Sequence, residues 1–470
     1  MSGGDSSATG DTPNAGPVDR LRERVRGELL EPGDAGYDDA RTVWNAMIDR
    51  EPRVVLRSTG AADVMAAVDV AREHDLPLSV KGGGHHVSGS AVVDDGLVID
   101  LGPMNGIRVD PDARTARVQA GATWGELDHE TQAFGLAVPG GQDPNIGVAG
   151  LTLGGGVGWL SRKYGLTSDN LLSADVVTAD GDLVHASAEE HPDLFWALRG
   201  GGGHFGIVTS FEFRLHEVGP EIFAGSLIYP LGDAADVARR YRSFVADAPR
   251  EVRLLFGSMH LPASSYYPPA VRDSRVAIVV ACYAGPSEEG ERVLEPLRAF
   301  GDPVTDSLRE RRYAAFQRVG DSQGSMRTYL RSQYLSTLSD PAIDTIVERA
   351  ADAPSPGATV FVSPRSGAET DPPSDATAYP HREDAHHLLV ETRWSDPARD
   401  DEHVAWTRAF HEAVRPYTTG DAALNFLTDD ESEARIRAAY GDNYDRLAEI
   451  KTEWDPANLF RSTRSVEPDG

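Results

Sequence analysis

The chain has 470 residues, which is too long for a single hydrophobic core and predicts two or three domains. It carries 45 lysines and arginines against 74 aspartates and glutamates, so the formal net charge is −29. That acidic field repels nucleic acid and anionic membranes, and no apolar run approaches the eighteen or so residues of a membrane span. We therefore expect a protein that binds neither nucleic acid nor membrane.

The beginning of the chain and its single cysteine bear on where the protein works. Residues 1–20 are mostly Gly, Ser, Asp, Thr and Pro without the apolar stretch of a secretory signal, and we predict a disordered tail. A cytoplasmic location is the default expectation. The lone Cys282 excludes an intrachain disulfide and a multi-cysteine zinc site, and its apolar surroundings predict a buried strand.

The size of the acidic excess suggests a salt-accumulating cytoplasm. At molar salt the Debye length falls to about 3 Å, so the repulsion between surface charges is largely screened. An ordinary acidic protein from a GC-rich genome is the alternative. Stability measured against salt separates the two interpretations.

The first half of the chain alternates predicted strands with glycine-rich loops. A capping box at Thr123 and Glu126 starts a helix that runs to about Phe134. Alternating apolar residues and turn signals predict the other elements. These are strands at 53–57, 76–80, 97–101, 114–122 and 207–215, helices at about 60–73 and 193–198, and a hairpin at 174–184 that turns at Asp180 and Gly181.

Three glycine clusters stand out in this half, at 81–89, 139–158 and 199–206. Glycines between strands let the backbone approach a ligand closely and turn its N–H groups toward anionic oxygens. The first cluster is not the phosphate loop of an NTPase, because no Gly-Lys-Ser/Thr sequence closes it. Tight turns without a ligand are the alternative for each cluster taken alone.

Composition changes near 217–220, where we place a domain boundary. Beyond it, helical segments separate strand-like runs at 222–229, 252–261, 276–283, 359–362 and 388–394. This pattern predicts an α+β layer with a mainly antiparallel sheet. The last part of the chain is predicted to be helical, with a short extended piece at 424–427.

Four motifs in this order resemble those of flavoprotein oxidases of the vanillyl-alcohol oxidase type, and within them the berberine-bridge-enzyme-like family. The motifs are Gly82-Gly83-Gly84-His85, the run 147–158, Phe205-Gly206-Ile207-Val208-Thr209, and Asp455-Pro456-Ala457-Asn458-Leu459-Phe460-Arg461. The resemblance covers about 27–468. It implies a two-part PCMH-type FAD-binding domain at 21–217 (core about 49–217), an α+β substrate domain at 218–410, and a segment at 411–470 that returns to complete the first domain.

The resemblance also implies how FAD is held. The 81–89 loop embraces the pyrophosphate, Lys81 adds charge, and His85 matches the histidine that bonds the 8α-methyl carbon of the flavin. A loop histidine bonded to backbone is the alternative for His85. The residues matched to the cofactor site are Lys81, Gly82, Gly83, Gly84, His85, His86, Val87, Ser88, Gly89, Asp143, Gly147, Val148, Gly150, Leu151, Gly154, Gly155, Gly156, Gly158, Gly206, Ile207, Val208, Asn425 and Phe426.

Some matched positions carry a specific expectation. Asp143 stands where some members have a second flavin-linking cysteine, so we expect one covalent bond. Val148 occupies the position thought to gate oxygen, and a small side chain there favours an oxidase; plain packing is the alternative. His86 is expected to have no chemistry of its own, and no metal site is predicted, because no further ligands are spaced for one.

The chain departs from the family pattern at three places. His204 replaces an asparagine before Phe-Gly, Ala423 replaces a tyrosine that acts as a proton acceptor in relatives, and Thr463 replaces an asparagine beyond Phe-Arg. The catalytic base is therefore sought elsewhere, at Glu391, His381 or Tyr164, with Arg382 as an orienting charge. For Glu391, a surface pair with Arg393 on the same strand face is the alternative.

By this resemblance the protein transfers a hydride from an alcohol, sugar or amine to flavin N5, with dioxygen or another acceptor taking the electrons. The partners are thus a small-molecule substrate and an electron acceptor. A flavin-carrying protein that binds a metabolite without turnover is an alternative. A nicotinamide dehydrogenase has little support, because no Gly-x-Gly-x-x-Gly opens a βαβ unit.

Overall fold

A computed structural model describes residues 16–318, 324–383, 386–462 and 464–469. The first helix begins at Pro17, so the end of the predicted tail is helical, while residues 1–15 lie outside the described part. Thr463, one of the departures from the family pattern, also lies outside the described part. The described chain forms a first domain of two main sheets, a second domain with one large sheet that lies over it, and a returning C-terminal segment.

A four-stranded sheet begins the first domain, in the order β1-β2-β4-β3. β2 and β3 both run parallel to the central β4, and β1 is antiparallel to β2. Helix α3 covers it with a face of alanine and valine. The elements are α1 (Pro17–Arg24), β1 (Glu28–Leu30), α2 (Tyr37–Arg41), β2 (Val54–Arg57), α3 (Ala61–Glu73), β3 (Leu78–Lys81) and β4 (Leu97–Asp100).

An antiparallel sheet of five strands forms the second part of this domain, in the order β5-β6-β10-β8-β9. The capping box at Thr123 and Glu126 forms as predicted and starts α4. The elements are β5 (Ile107–Asp110), β6 (Thr115–Gln119), α4 (Trp124–Gln132), β7 (Leu136–Ala137), α5 (Val148–Leu153), α6 (Ser161–Tyr164), β8 (Leu171–Val177), β9 (Leu183–Ser187), α7 (Pro192–Leu198), β10 (Ile207–Arg214) and β11 (His216–Glu217), which pairs with β7.

The second domain is built on an eight-stranded antiparallel sheet, in agreement with the predicted layer. Its order is β15-β12-β14-β13-β18-β19-β17, with β16 also paired to β12. The elements are β12 (Glu221–Pro230), α8 (Ala234–Asp247), β13 (Val252–Leu261), β14 (Ser274–Tyr283), α9 (Ser287–Leu294), β15 (Thr305–Asp306), β16 (Arg309–Arg312), α10 (Tyr313–Gln317), β17 (Arg327–Leu335), α11 (Asp340–Ala351), β18 (Thr359–Pro364), β19 (His386–Trp394) and α12 (Asp400–Val414). Cys282 is buried in β14.

The two faces of this sheet have different partners. Leu388 and Val390 of β19 pack into one apolar cluster with residues of α8, α11 and α12. Alternate residues point to the opposite face, because side chains along a strand alternate. On that face Arg393 lies over the ring of Trp44, which belongs to the first domain. The sheet therefore forms a roof over the glycine-rich loops.

The C-terminal segment packs back into the first domain, as the fold class predicted. Leu424, Tyr440 and Phe460 share one buried cluster with the strands of that domain. The residues 424–427 were predicted to be extended, but Leu424–Phe426 form a 3-10 turn. The turn is stabilised by Asn425, whose amide donates a hydrogen bond to the carbonyl of Leu151 in α5. Helices α13 (Glu433–Tyr440) and α14 (Tyr444–Trp454) follow.

In the described ranges, no helix is long and apolar enough to cross a membrane. In the same ranges, no group of three or more His, Cys, Asp or Glu side chains is arranged to hold a metal ion.

Candidate flavin site

Two of the glycine clusters meet through their backbones. A Cβ atom at Gly83 would lie 2.4 Å from the backbone nitrogen of Gly147, and a Cβ atom at Gly147 would lie 2.4 Å from that of Gly83. Real Cβ atoms do not approach that closely, so only glycine fits at either position. The close approach fixes the 81–89 loop against the start of α5.

The later glycines of the second cluster are closely packed as well. A Cβ atom would lie under 3 Å from a neighbouring atom at four positions, and at Gly158 that neighbour is the carbonyl oxygen of Gly140. The four positions are Gly154, Gly155, Gly156 and Gly158. Their role is to let this segment pack tightly against the rest of the domain.

One glycine from each cluster lies on or beside α5 without a close clash. No heavy atom of the described chain lies within 4 Å of a Cβ built at Gly150, apart from the backbone of α5 itself. A Cβ at Gly82 or Gly203 would be in ordinary contact with Ala149 or Leu153 of the same helix, at 3.7 and 3.5 Å. We call the bare backbone at these three glycines the open strip, and backbone of this kind suits an anionic ligand that approaches the main chain.

His85 lies in the middle of the 81–89 loop, and its ring is in contact with an aromatic side chain. Its imidazole stacks on the indole of Trp44, with ring centroids 4.9 Å apart and planes 23° from parallel. Burial lowers the pKa of His85, the nearby Arg393 lowers it further, and Asp143 acts in the opposite direction. The ring is therefore neutral at physiological pH, which is the state in which an imidazole nitrogen is a nucleophile.

His86 connects the loop to the end of the chain. Its Nδ1 is 3.0 Å from Ser88 Oγ, and its Nε2 is 2.6 Å from the guanidinium of Arg464. Arg464 also donates to Ser90 Oγ at 2.7 Å. Burial and the charge of Arg464 hold the pKa of His86 well below its usual value. These contacts tie the 81–89 loop to the segment that carries Arg464.

Lys81 does not face the open strip. Its ammonium donates a 2.6 Å hydrogen bond to the carbonyl of Ala40, and burial lowers its pKa. The side chain therefore anchors the start of the loop to the segment after α2, and the expectation that Lys81 adds charge beside the ligand is not supported by this contact.

The other matched residues of the first domain shape the loops. Val87 is buried, and its carbonyl accepts a hydrogen bond from Asn45. Gly84 and Gly89 both have a φ of +64°, which L residues rarely adopt. Val148 is fully buried in the core, a setting that favours packing over oxygen gating.

The third cluster leads directly into the central strand of the five-stranded sheet. Gly206 has a φ of +152°, and a Cβ there would lie 2.5 Å from Val176. Ile207 and Val208 follow as the first residues of β10 and are buried. These residues hold the loop end in place.

The C-terminal segment reaches the site through Asn425 and Phe426. The amide of Asn425 donates to the carbonyls of Leu151 and Gly154, at 3.2 and 3.3 Å. The ring of Phe426 lies 5.2 Å from that of His387 in the roof. The segment therefore joins helix α5 to the roof sheet.

The roof brings Glu391 close to the 81–89 loop, which we call the flavin loop. Arg393 donates a 2.7 Å hydrogen bond to Glu391, and its guanidinium carbon lies 4.9 Å from the centre of the Trp44 ring. Trp44 in turn stacks on His85, so Trp44 alone separates Arg393 from the loop histidine. The pair of Glu391 and Arg393 exists, as the surface alternative supposed, but it faces the first domain.

Two buried polar atoms on the same roof face have no partner in the described chain: His387 Nε2 and Ser332 Oγ. His387 pairs with Tyr334 across β19 and β17, and Ser332 pairs with Leu389, so all four share this face. Burial lowers the pKa of His387 to about 3, which keeps it neutral. Unpaired buried polar atoms are costly, and a bound substrate would satisfy them.

Sequence reasoning missed Trp44, His387 and Ser332. The alternation that placed Glu391 on one face of β19 extends back to His387 and was the available signal. Trp44 lies in an irregular segment that no motif marks, and Ser332 lies in the unpredicted β17.

Arg382 requires a correction. Its guanidinium donates to both carboxylate oxygens of Asp169, at 2.7 and 2.8 Å, and also to Thr377 and to the carbonyl of Glu369. The side chain is buried. These bonds occupy both terminal nitrogens, so Arg382 is a structural ion pair between the two domains and not a charge that orients substrate.

Tyr164 and His381 are also placed by structural contacts. Tyr164 stacks on His216 with centroids 4.0 Å apart, and its hydroxyl donates to the carbonyl of Glu217 at the domain boundary. His381 Nε2 lies 3.0 Å from the carbonyl of Ala439, and burial lowers its pKa to about 4. These contacts favour a structural role for both residues, and we take Glu391 forward as the candidate base.

His204, the substitution in the third cluster, turns toward the C-terminal segment. Its Nε2 lies 3.0 Å from the hydroxyl of Tyr440, and Lys451 donates to its carbonyl at 2.7 Å. Burial lowers the pKa of His204 to about 3. The change is thus accommodated by a contact between the loop and α13.

An open backbone strip, a neutral histidine beside it and a roof with unpaired polar atoms fit FAD and a small substrate. A two-part domain of this kind under an antiparallel sheet defines a flavin-dependent oxidoreductase of the PCMH type.

Comparison with known proteins agrees with this class. A family described as "FAD binding domain" matches residues 52–187, and one described as "Berberine and berberine like" matches residues 424–467. The chain is 32% identical over 463 residues to (R)-6-hydroxynicotine oxidase of Paenarthrobacter nicotinovorans, covering 95% of this chain and 98% of that protein. It is 31% identical over 456 residues to the FAD-linked oxidoreductase YgaK of Bacillus subtilis, covering 95% and 98%.

Solved structures show the same fold. The crystal structure of 6-hydroxy-D-nicotine oxidase from Arthrobacter nicotinovorans matches with a TM-score of 0.85 at 29% identity, over 95% of this chain and 98% of that one. A chitooligosaccharide oxidase matches with a TM-score of 0.85 at 22% identity, over 97% and 100%. The chain belongs to the berberine-like FAD-linked oxidoreductases, and FAD is its cofactor.

Proposed function

We propose that the protein is an oxidoreductase that holds FAD through a single covalent bond to His85. It oxidises a carbon that bears a hydroxyl or amino group in an alcohol, sugar or amine, and the electrons pass to dioxygen or another acceptor. When bound, FAD supplies the hydride acceptor at N5, and the chain supplies binding, orientation and proton transfer.

The observation that carries the proposal is the setting of His85. The imidazole is neutral, it stacks on Trp44, and it belongs to the 81–89 loop, whose Gly82 and Gly83 lie against the start of α5. Asp143 stands at the position of the second linking residue and cannot form a thioether. These features support one covalent bond.

Glu391 is proposed to accept the proton of the substrate's hydroxyl or amine. It lies on the roof face, where its partner Arg393 fixes the carboxylate. A positioned base contributes about 10²–10⁴-fold to the rate. His387 Nε2 and Ser332 Oγ on the same face are proposed to accept or donate hydrogen bonds to the substrate's heteroatoms, because both lack a partner within the described chain.

A cyclic amine is the first substrate class to test. The relative named (R)-6-hydroxynicotine oxidase supports this choice, and the names of the chitooligosaccharide and xylooligosaccharide oxidases support sugars as the second class. The roof alternates apolar side chains, such as Leu389 and Phe361, with the few polar ones. That composition suits a compact ligand with one polar edge.

Acid precipitation of the purified protein tests the covalent bond. We expect the yellow colour in the pellet for the wild type and for His86→Gln, and in the supernatant for His85→Ala. His86→Gln is the matched control, since it changes the adjacent imidazole. A wild-type pellet without flavin overturns the covalent assignment.

A flavin carrier without turnover is the second candidate, and the observation in its favour is Ala423, which stands in place of the proton-accepting tyrosine of relatives. Anaerobic addition of candidate amines, alcohols and sugars separates the two. Bleaching of the flavin absorbance shows turnover, and peroxide formed on admitting air distinguishes an oxidase from a dehydrogenase with another acceptor.

A further inference from the structure

We propose that Trp44 is a positioning residue for the covalent bond at His85. Its indole, held between His85 and Arg393, sets the ring orientation in which the bond forms and connects that bond to the roof. This inference rests on the proposed function, since it concerns how the same histidine is attached.

The stack itself is the first observation. The planes of the imidazole and the indole are 23° from parallel at a centroid distance of 4.9 Å, so the broad face of His85 is covered. Stacking of this kind restricts rotation of the covered ring. Trp44 covers one face of the imidazole, so the edge that carries the nitrogens points sideways, out of the stack.

The backbone around Trp44 is fixed on both sides. The Trp44 N–H donates to the carbonyl of Gly84 at 3.0 Å, one residue before His85. The neighbouring Asn45 donates to the carbonyl of Val87 at 2.7 Å and accepts from the Thr328 N–H of β17 at 3.0 Å. The segment 44–45 is therefore bonded to the flavin loop and to the roof sheet at once, and the indole has little freedom to move.

Arg393 completes the stack from the roof. Its guanidinium carbon lies 4.9 Å from the centre of the indole, a cation–π contact, while Glu391 holds the guanidinium from the other side. The order of contacts is His85, Trp44, Arg393 and Glu391. A linker of this kind places the linking histidine and the proposed base in fixed relation to each other.

The bond requires the neutral imidazole. A bond forms between a ring nitrogen of His85 and the 8α-methyl carbon of the flavin, while one proton leaves the carbon and one leaves the nitrogen. The electron pair is taken up by the flavin ring system and removed by dioxygen as hydrogen peroxide. The charged groups that act on His85 are Asp143 from the loop at 139–147 and Arg393 from β19.

Time courses of FAD incorporation into full-length apo-protein test the inference. The readout is flavin retained after acid precipitation, with non-covalent FAD affinity measured on a His85→Ala background. We expect Trp44→Ala to slow incorporation by about 10²-fold, the cost of a misplacement near 1 Å, and Trp44→Phe to restore a rate close to the wild type. Affinity for FAD is expected to stay unchanged in both.

The pH profile of incorporation tests the contribution of Arg393. Removing the cation in Arg393→Gln raises the pKa of His85, so the profile shifts to higher pH, whereas Arg393→Lys keeps the wild-type profile. A merely structural role for Arg393 predicts slower incorporation without this shift.

The outcomes separate the two proposals. Wild-type incorporation with no slowing in Trp44→Ala overturns the role of Trp44 alone. If Trp44→Ala lowers both the rate of covalent incorporation and the non-covalent affinity for FAD, the positioning role is also overturned, because Trp44 then maintains the fold of the loop. A wild type that never retains flavin after acid treatment overturns the covalent bond itself, and the positioning role with it.

Discussion

At the scale of single residues, the site depends on side chains whose partners are far away in sequence. His86 and Arg464 are 378 residues apart and lie 2.6 Å from each other, and Arg382 bonds Asp169 across 213 residues. Glu391 is the exception, since its partner Arg393 is two residues away on the same strand face. Because both residues belong to β19, the position of the Glu391 carboxylate does not depend on how distant segments pack.

Replacing Glu391 with glutamine tests its role as the base. The amide keeps an oxygen that accepts from Arg393 but does not take a proton. We expect flavin reduction by substrate, measured anaerobically by stopped-flow absorbance, to slow by about 10²–10⁴-fold. Flavin retained after acid treatment should match the wild type. A reduction rate equal to that of the wild type contradicts the assignment.

At the scale of elements, α5 organises the first domain's side of the site. It is bordered by the 81–89 loop at Gly82, by the 199–206 loop at Gly203 and by the C-terminal turn at Asn425. The glycines of the segment 147–158, which contains α5, divide into those that allow close packing and one, Gly150, that leaves backbone exposed. The two kinds should respond differently to an added methyl group.

A pair of alanine substitutions on this segment separates stability from cofactor binding. In Gly154→Ala the new Cβ would lie 1.9 Å from Asn425 Oδ1, so the C-terminal turn must shift, at a cost of about 1–3 kcal/mol. In Gly150→Ala no atom of the described chain is within 4 Å, so the fold is retained, but the methyl group enters the strip assigned to FAD.

Thermal unfolding of the apo-proteins and FAD titration check this pair. We expect Gly154→Ala to lower the Tm by several degrees, and Gly150→Ala to keep the wild-type Tm while binding FAD more weakly. Equal FAD affinity in Gly150→Ala and the wild type would place the cofactor elsewhere.

The sequence predicted elements well where their patterns are local. The capping box of α4, the hairpin of β8 and β9, and the alternation of β19 all formed as expected. β17 was missed because its nine residues include Arg327, Arg331, Ser332 and Gln333, a polar composition that does not alternate. The strand is nevertheless buried, since the first domain and the C-terminal segment cover it.

The candidate site was predicted in part, for a similar reason. Glycine clusters and a histidine are motifs within one loop, so they are readable without a structure. Trp44 and the roles of Arg382 and Tyr164 depend on which distant segments pack together. No local pattern contains that information.

At the scale of the whole molecule, the net charge of −29 is the dominant property. Even if every lysine and arginine were paired with a carboxylate, 29 carboxylates would have no basic partner. Like charges at the surface destabilise the compact state through mutual repulsion. We propose on this basis that the protein is adapted to high salt.

Unfolding measured against ionic strength checks this adaptation. The Debye length is about 30 Å at 0.01 M and about 3 Å at 1 M, so repulsion acts across the molecule in dilute buffer and only between neighbours in molar salt. We expect the Tm to rise steeply with potassium chloride, and much more steeply than with an uncharged osmolyte at the same osmolality, because the osmolyte does not screen charge. Full stability in dilute buffer would contradict the proposal and favour an ordinary acidic protein.

The bond between Arg464 and His86 joins two parts of the polypeptide that are 378 residues apart. The 81–89 loop is therefore fixed only after the segment that carries Arg464 has folded back onto it, so capture of the coenzyme waits for closure of the whole fold. Replacing Arg464 with alanine should yield a polypeptide that folds in large part yet stays colourless.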